Sequence, residues 1–424
     1  MIKIYSTENM SYMDIIPRRN ASSDIANVVS DIIANVREGG DKALLEYELK
    51  FGGASPKSLE VSVEERKTAL SKVEPEFIEI LKEAAENIRN YHSLQIKSGY
   101  EINEKEGIVL GQKVTPIACV GLYIPGGTAS YPSSVLMNCI PAKIAGVGSI
   151  VMTTPPDKDG NLNPNIIAAA EIAGVDRIFK CGGAQAVAAM AFGTQSVPKV
   201  DKIVGPGNAY VAEAKRQVFG IVGIDMIAGP SEVLVIADGL SDPASLAADL
   251  LSQAEHDKLA TAVLITDSKE LAEKVAAEIE VQLRKLPREE IARASIENNG
   301  KIIIARSIEE AIEISNKIAP EHLELSVDEP FNYLDRIANA GSIFLGRNCP
   351  EPLGDYFAGT NHTLPTSGTA KFSSALSVDD FVKKSSYMYY SRQALNEVSA
   401  KIAYFAEKEG LNAHAVSATI REKR

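Results

Sequence analysis

The chain has 424 residues, of which 45% are hydrophobic and 24% charged, and its formal net charge is -12. This length exceeds what one hydrophobic core usually supports, so we expect at least two core-bearing units, and the ordinary composition argues against disorder. The acidic balance and the lack of a dense Lys/Arg cluster argue against nucleic acid as a partner. No apolar leader and no uninterrupted apolar stretch of membrane-spanning length is present, so we expect a cytoplasmic protein without a membrane partner.

The first hundred residues have helical periodicity. Ser22 and Ser23 can cap a helix whose apolar positions follow helical spacing up to a stop at Gly39 and Gly40. A second helical pattern spans about residues 74–97. We expect its His92 to pack or to face solvent, because no polar cluster accompanies it.

From residue 115 onward, short apolar runs alternate with amphipathic stretches. Continuous apolar runs separated by helices are typical of parallel strands that are buried on both faces, so we predict an α/β fold with two parallel, Rossmann-like sheets. The predicted strands lie in PIACVGLYI, SIVMTT, DRIFKC, DKIVG, EVLVIAD, TAVLIT and KIIIAR. The four cysteines, Cys119, Cys139, Cys181 and Cys349, lack CxxC spacing and are predicted to be reduced structural thiols.

The order of these elements predicts an inserted domain and a helical tail. The tail carries an apolar stripe in SRQALNEVSAKIAYFAEKEG that needs another surface, either on its own subunit or on a partner's. The predicted units are an N-terminal extension (1–20), a larger discontinuous α/β domain (21–122 and 233–375), an inserted α/β domain (123–232) and the tail (376–424).

The chain has only five histidines, and four of them lie among polar residues in its second half. Gln253 and His256 are three residues apart on a predicted helix, so both side chains project from one face. Asp355 and His362 lie in a Gly/Pro/Thr-rich segment that has the composition of a loop. Taken alone, each of these motifs is compatible with a satisfied surface pair as well as with a metal site.

Two further polar pairs stand near element ends. Glu321 and His322 follow a proline and lead into a short apolar run, a junction suited to general acid-base chemistry, although a solvent-facing turn has the same pattern. Glu409 and His414 lie on either side of Gly410, which is predicted to end a helix.

Glycine-rich turns recur at 123–134, 180–193, 204–211 and 227–235. No GxGxxG motif follows a strand, so the usual dinucleotide fingerprint is absent. Such turns can hold phosphates through free backbone amides, but they are also ordinary connectors in α/β folds.

Taken in order, several long segments resemble the histidinol dehydrogenase family. The resemblance runs from about residue 120 to 418 and is looser in the first hundred residues. The matching segments are YIPGGTASYPSSVLMNCIPAKIAGV, GGAQAVAAMAFGT, GPGNAYVAEAKR, AGPSEVLVIAD, LLSQAEHD, APEHLEL, GDYFAGTNHTLPT and EGLNAHAVS.

The resemblance implies an NAD-dependent alcohol and aldehyde dehydrogenase that oxidises L-histidinol to L-histidine in histidine biosynthesis. It also implies one zinc ion per subunit and a homodimer whose tail reaches the neighbouring active site. Glu321 and His322 would be the acid-base residues, and the zinc ligands would be Gln253, His256, Asp355 and His414. The implied NAD contacts are Tyr123, Gln185 and Asn208, and the implied substrate contacts are Ser231, Gln253, His256, Glu321, His322, Asp355, His362, Glu409 and His414.

Three other functions remain open at this point. A paralogue could oxidise another zinc-chelating alcohol, but the presence of both His362 and Glu409 argues against it. A zinc hydrolase could use Glu321 to activate water without any nucleotide, and the family-like segments around Tyr123, Gln185 and Asn208 argue against it. A non-catalytic scaffold would have no need for an acid-base pair beside four metal ligands.

Overall fold

The computed structural model describes residues 1–8, 11–16, 23–53, 56–126 and 130–423, which form two parallel sheets, one small antiparallel sheet and the helices around them. The helices are α1 (Tyr12–Ile15), α2 (Ser23–Tyr47), α3 (Val63–Leu70), α4 (Pro75–Ser93), α5 (Pro132–Ala145), α6 (Pro164–Ala173), α7 (Gly183–Phe192), α8 (Ala209–Val218), α9 (Pro243–Ala254), α10 (Lys269–Leu283), α11 (Glu289–Asn298), α12 (Ile308–Ile318), α13 (Phe331–Leu334), α14 (Glu351–Tyr356), α15 (Arg392–Lys408) and α16 (Asn412–Thr419). The strands are β1 (Lys3–Ser6), β2 (Tyr100–Ile102), β3 (Ile108–Pro116), β4 (Cys119–Tyr123), β5 (Ser149–Thr154), β6 (Arg177–Lys180), β7 (Lys202–Val204), β8 (Gly223–Ile224), β9 (Glu232–Ala237), β10 (Thr261–Thr266), β11 (Lys301–Ile304), β12 (His322–Ser326), β13 (Ser342–Leu345) and β14 (Val382–Tyr390).

The first parallel sheet has the order β6-β5-β4-β7-β8. Its central strands are the apolar runs predicted from the sequence, and the residues of β4 and β5 are almost entirely buried. The chain runs from β4 through β5 to β6 and then crosses to β7, on the other side of β4. The gap between the carboxyl ends of β4 and β7 is therefore a topological switch point, the usual place for a ligand in an open α/β sheet.

The second parallel sheet has the order β1-β11-β10-β9-β12-β13. Strands β9 and β10 are buried along their whole length, as their unbroken apolar runs predict. Strand β1, from the N-terminal extension, pairs with β11 at one edge. Both predicted parallel sheets are thus present, and the α/β prediction is confirmed.

A third sheet, antiparallel and in the order β14-β3-β2, was not predicted. It corrects the purely helical interpretation of the tail, since Val382–Tyr390 is a nine-residue strand paired along its whole length with β3. The strand VKKSSYMYY is exposed at nearly every position. Pairing with β3, and not burial of an apolar face, stabilises this strand. The sequence therefore has no alternation of apolar and polar residues that would predict it.

The two N-terminal helical patterns are present with small changes. Helix α2 is kinked at Gly40 (φ 57°, ψ -137°), where the sequence predicts a stop. Ser22 lies outside the described residues. His92, on α4, is fully buried and its Nδ1 lies 2.7 Å from Gln95 Oε1, so it packs in the interior as one of the two expected outcomes. Within the described ranges, no helix combines the length and apolar character needed to cross a bilayer.

The tail helices pack chiefly on each other and on β14. Several large apolar side chains of this tail remain exposed in the single chain: Met388, Tyr389, Ile402, Tyr404, Phe405, Leu411, Val416 and Ile420. The tail therefore presents an uncovered apolar surface, as its sequence stripe predicts.

Candidate active site between the two parallel sheets

The site lies where the amino edge of the second sheet meets the carboxyl edge of the first. Strands β9 and β12 are parallel neighbours that begin at Glu232 and His322. A small cavity at this junction combines residues that follow β7 with residues that precede β9 and β12. Its lining includes Pro206, Asp225, Gly229, Ser231, Glu321 and His362.

His322 is held in one orientation by the backbone of the neighbouring strand. Helix α12 ends at Ala319, whose φ of 54° turns the chain through Pro320 into β12. His322 Nδ1 lies 3.0 Å from the carbonyl oxygen of Glu232. Because a carbonyl can only accept, Nδ1 carries the proton and Nε2 is left with a lone pair. Nε2 is buried and has no hydrogen-bond partner among the described residues.

Burial favours the neutral form of both Glu321 and His322, so the carboxyl group tends to keep its proton and the imidazole tends to lose one. Burial lowers the pKa of His322, which favours the neutral imidazole. Burial raises the pKa of Glu321 well above its ordinary value, even though the Glu232 amide donates to Glu321 Oε2 at 2.8 Å. His322 Nδ1 and Glu321 Oε2 are 3.8 Å apart, so the two groups lie side by side.

A group of potential metal ligands lies next to this pair. Gln253 occupies the last turn of α9, and His256 follows the end of that helix, so the two are joined by a turn (His256 N–H to Gln253 C=O, 3.2 Å) and not by a continuous helix. Asp355 lies on α14, so the loop prediction is wrong for this residue, whereas His362 lies outside any helix or strand, as predicted. Potential ligand atoms of His256, Glu351 and Asp355 all lie within 4.8 Å of one another.

Gln253 is fully buried, and neither its Oε1 nor its Nε2 has a hydrogen-bond partner among the described residues. A buried amide without partners is costly unless another group satisfies it. Three of the four predicted ligands, Gln253, His256 and Asp355, thus belong to one region, and this region offers polar atoms that a bound group could use.

His362 connects this region to the first sheet. Its Nε2 lies 3.1 Å from Ser134 Oγ on α5, and its Nδ1 lies 3.2 Å from the Asp355 carbonyl oxygen. The flanking Asn361 donates to the Met137 carbonyl on α5 at 2.7 Å. The NHT segment is therefore fixed across the junction of the two sheets.

Glu409 and His414 are not at this site within the chain. Glu409 follows α15, Gly410 (φ 74°) ends that helix as predicted, and His414 lies on α16, with both side chains exposed. The two tail residues are therefore set apart from the other predicted zinc and substrate residues in the single chain.

The predicted nucleotide residues lie at the carboxyl edge of the first sheet. Tyr123 ends β4 and its hydroxyl accepts from the Gly183 amide at 3.0 Å. Gln185, on α7, donates to the buried Glu48 at 2.9 Å. Asn208 caps α8, where its Oδ1 accepts from the amides of Tyr210 and Val211, and is exposed. The first two are buried and internally bonded, and Asn208 faces solvent.

Comparisons with known proteins decide the family. The sequence profile of histidinol dehydrogenase matches residues 17–422. The chain belongs to the histidinol dehydrogenase family. The histidinol dehydrogenases of Clostridium acetobutylicum and Bacillus cereus are 59% and 60% identical to it, over 95% and 93% of this chain and 93% and 91% of theirs. The crystal structure of histidinol dehydrogenase from Elizabethkingia anophelis has a TM-score of 0.94 at 40% identity and covers 100% of this chain and 98% of that one.

Membership in the histidinol dehydrogenase family makes this chain an NAD-dependent dehydrogenase.

The glycine-rich turns use several of their backbone amides inside the protein. The amide of Gly182 donates to Glu48 at 2.9 Å, that of Gly205 to Asp225 at 2.7 Å, and that of Gly229 to Thr366 at 2.6 Å. These amides are used inside the protein, so at these positions the turns act as connectors. The turn at 123–134 contains residues 127–129, which lie outside the described residues.

Three residues at this histidinol dehydrogenase site were missed by sequence reasoning. Ser134 is bonded to His362, Glu48 to Gln185, and Glu351 lies beside His256 and Asp355. Glu351 had a usable signal, because it precedes Asp355 by four residues and would share a helix face with it. Ser134 and Glu48 are distant in sequence from their partners, and no local pattern reveals such contacts.

Proposed function

We propose that this chain oxidises L-histidinol to L-histidine through bound L-histidinaldehyde, in two NAD-linked steps at a zinc centre. The observation that carries the proposal is the neutral, oriented His322 beside Glu321 and the His256–Glu351–Asp355 group, in a chain of the histidinol dehydrogenase family. An alcohol oxidation needs a base for the hydroxyl proton, and this arrangement supplies one.

His322 is the base of the first step. Its Nδ1–H donates to the Glu232 carbonyl, so Nε2 accepts the proton from the substrate hydroxyl. Hydride leaves from the carbon that bears this hydroxyl. Its lowered pKa keeps it neutral and able to accept that proton. Placement at the start of β12 fixes the ring against the sheet.

Glu321 serves the second step, in which water must add to the aldehyde before a second hydride can leave. As a carboxylate, it removes a proton from that water, while His322 returns the proton from the first step to the aldehyde oxygen and becomes neutral again. His322 then accepts a hydroxyl proton of the gem-diol as the second hydride leaves. Burial favours the protonated form of Glu321, so it must lose its proton first. An opposite charge nearby favours that loss.

The residues present fit a zinc ion. Imidazole, carboxylate and amide oxygen are suitable ligands, and the unpartnered polar atoms of buried Gln253 gain a partner when an ion is held there. The ion would be held by Gln253, His256, Asp355 and the partner subunit's His414. When bound, zinc supplies a template for the amino and imidazole nitrogens of the substrate, with Lewis-acid assistance.

The nucleotide is proposed to bind at the carboxyl edge of the first sheet, near Tyr123, Gln185 and Asn208. NAD supplies the hydride acceptor for both steps. Exposed Asn208 is available directly, whereas Tyr123 and Gln185 must exchange internal hydrogen bonds to contact a ligand. A weakly held cofactor suits a reaction in which NADH leaves between two oxidations.

The enzyme is proposed to be a cytoplasmic homodimer with exchanged tails. The exposed apolar surface of α15 and α16 needs a cover, and Glu409 and His414 are exposed on the same tail. Docking on a second subunit would bury that surface and bring both residues to the neighbouring site, where Glu409 and His362 hold the imidazole of the substrate. Four free cysteines suit a reducing compartment.

The first experiment is the amount of NADH formed per L-histidinol by purified enzyme run to completion at alkaline pH, with zinc and after chelation. About two NADH per substrate, lost on chelation and restored by zinc, supports the proposal, since each hydride reduces one NAD. One NADH would show that the aldehyde escapes. Without any NADH the dehydrogenase proposal is wrong, and release of a hydrolysis product would indicate a hydrolase.

A further inference from the structure

We propose that Thr366 is a positioning residue for the substrate site. Its hydroxyl group holds the Gly229 amide, and thereby the position of Ser231, against the chain segment that carries His362. This inference rests on the proposed function, in which Ser231 and His362 contact L-histidinol, and it assigns the residue that fixes the spacing between these two contacts.

The segment 361–367 crosses the junction of the two parallel sheets and is anchored at both ends. At its beginning, Asn361 donates to the Met137 carbonyl on α5 at 2.7 Å. At its end, Thr366 and Ser367 contact the residues that lead into β9. His362 lies between these two anchors. The segment therefore connects a helix of the first sheet with the amino edge of the second.

Thr366 makes the contact nearest to Ser231. It is 3% exposed, and its Oγ1 accepts from the Gly229 amide at 2.6 Å. A Cβ atom at Gly229 would lie 3.4 Å from Thr366 Oγ1 and 2.4 Å from Ser367 Oγ. The turn thus lies directly over Gly229, and a residue without a side chain allows this close approach.

A second contact holds the same turn one residue further along. The Ser367 amide donates to Oε1 of the buried Glu232 at 3.2 Å. Ser367 has a φ of 57°, a left-handed conformation that costs energy in a residue other than glycine and persists where the surrounding structure holds it. Two adjacent residues of the turn therefore bind the backbone before Ser231 and the side chain after it.

The two sides of Ser231 depend on different contacts. After Ser231, its carbonyl accepts from the Thr261 amide at 3.0 Å, and the Glu232 amide donates to Glu321 Oε2 at 2.8 Å. Before Ser231, the Gly229 amide is held by Thr366. Loss of the Thr366 hydroxyl should therefore release the amino-terminal side of Ser231 while the contact with Glu321 stays in place. We expect substrate binding to suffer more than the acid-base chemistry.

The same cavity at the sheet junction is lined by Ser231, His362 and Thr366. A substrate that contacts the first two residues needs them at a fixed separation, and a misplaced binding group costs affinity. Because Thr366 follows His362 by four residues and bonds two residues before Ser231, its hydroxyl is the link between the two contacts.

Steady-state kinetics of the zinc-loaded enzyme test this assignment. Thr366→Val replaces the hydroxyl by a methyl group of similar size. It should raise the KM for L-histidinol by about three- to tenfold, the usual effect of one lost hydrogen bond, with kcat and the KM for NAD within about twofold of wild type. Thr366→Ser keeps the hydroxyl and should restore the KM. Thr366→Ala removes the hydroxyl without placing a methyl group against the amide, and it serves if the valine variant does not fold.

Thr266→Val is the matched control. Thr266 is also buried, and its Oγ1 accepts from the Ser268 amide at 3.1 Å, but it lies at the carboxyl end of β10, the opposite edge of the second sheet. Denaturant unfolding should show similar losses of stability for the two valine variants. The control should keep the wild-type KM for L-histidinol, which separates positioning from a general loss of stability.

A double-mutant cycle identifies the residue through which Thr366 acts. Ser231→Ala should raise the KM for L-histidinol, and Thr366→Val should add little to it, because the two changes remove the same contribution. The assignment alone is overturned by a wild-type KM in Thr366→Val and Thr366→Ala, by a Thr366→Ser variant as impaired as Thr366→Val, or by additive effects in the cycle. If wild type forms no NADH from L-histidinol, the proposed function is wrong as well.

Discussion

Lys215 and Asp225 form an ion pair in which each side chain is 1% exposed. Lys215 also donates to the Gly205 carbonyl at 2.8 Å, and Asp225 accepts from the Gly205 amide at 2.7 Å. The pair therefore binds both backbone polar groups of Gly205, its amide and its carbonyl, in the turn that leads to Asn208. A buried ion pair thus fixes the turn that we propose contacts NAD.

Replacement of this lysine should be costly. Lys215→Met leaves Asp225 buried without its cation, which typically destabilises a protein by about 3–5 kcal/mol. Denaturant unfolding should show this loss, and the KM for NAD should rise, because the displaced turn leads to Asn208, a proposed NAD contact. Lys274→Met, which breaks an exposed pair with Glu270 on α10, is the control and should unfold as wild type does.

Substitutions of the acid-base pair should separate the two oxidations. His322→Gln removes the base of both steps, so kcat for both histidinol and histidinaldehyde should fall by about 10²–10⁴-fold. Glu321→Gln should slow aldehyde oxidation by a similar factor but leave much of the alcohol step, so that single-turnover mixtures accumulate aldehyde. Equal losses in both steps for Glu321→Gln would contradict its role as the water-activating base.

Exchange of tails can be tested by mixing two inactive variants. His322→Gln and His414→Asn chains, coexpressed with different tags and purified as heterodimers, should have about half the wild-type activity, because one of the two sites then has both intact residues. If His414 served its own chain, both sites of the heterodimer would be defective. Each homodimer alone should remain inactive.

His92 should make the stability of the protein depend on pH. Burial lowers its folded pKa below the ordinary value, so below a pH of about 6.5 the unfolded chain binds more protons than the folded one. The free energy of unfolding should therefore fall as the pH drops through this range. His92→Asn cannot titrate and should lose less stability between about pH 7.5 and pH 5. Equal losses in the two proteins would show that His92 is not responsible.

The two parallel sheets could be predicted because their strands are buried on both faces. Runs such as EVLVIA and TAVLIT are almost continuously apolar, which is typical of buried strands and not of segments exposed to solvent. Strand β14 could not be predicted in this way. Its residues VKKSSYMYY face solvent, and pairing with β3, more than 260 residues earlier in the chain, determines its conformation.

Some residues of the candidate site could likewise be predicted from the local sequence, whereas others could not. Glu321 and His322 could be recognised as adjacent titratable residues that follow a proline. His322 Nε2 lies 3.9 Å from Oε1 of Glu351, which is grouped with the predicted ligands His256 and Asp355. Glu351 was missed because the segment that follows it was interpreted as a loop, whereas α14 places it one helical turn before Asp355. Which side chains meet across the junction, such as Ser134 and His362, depends on how the two sheets pack, and local spacing carries no information about that.

The pairing of β1 with β11 joins residues 3–6 to residues 301–304. The first sheet, in contrast, is built from a continuous stretch between residues 119 and 224. During synthesis on the ribosome, the first sheet, where we propose that NAD binds, can close as soon as that stretch has emerged, whereas β1 must wait until residues 301–304 have been made. Glu321 and His322 are made later still, so a nascent chain completes the sheet proposed to bind NAD before the proposed acid-base pair exists.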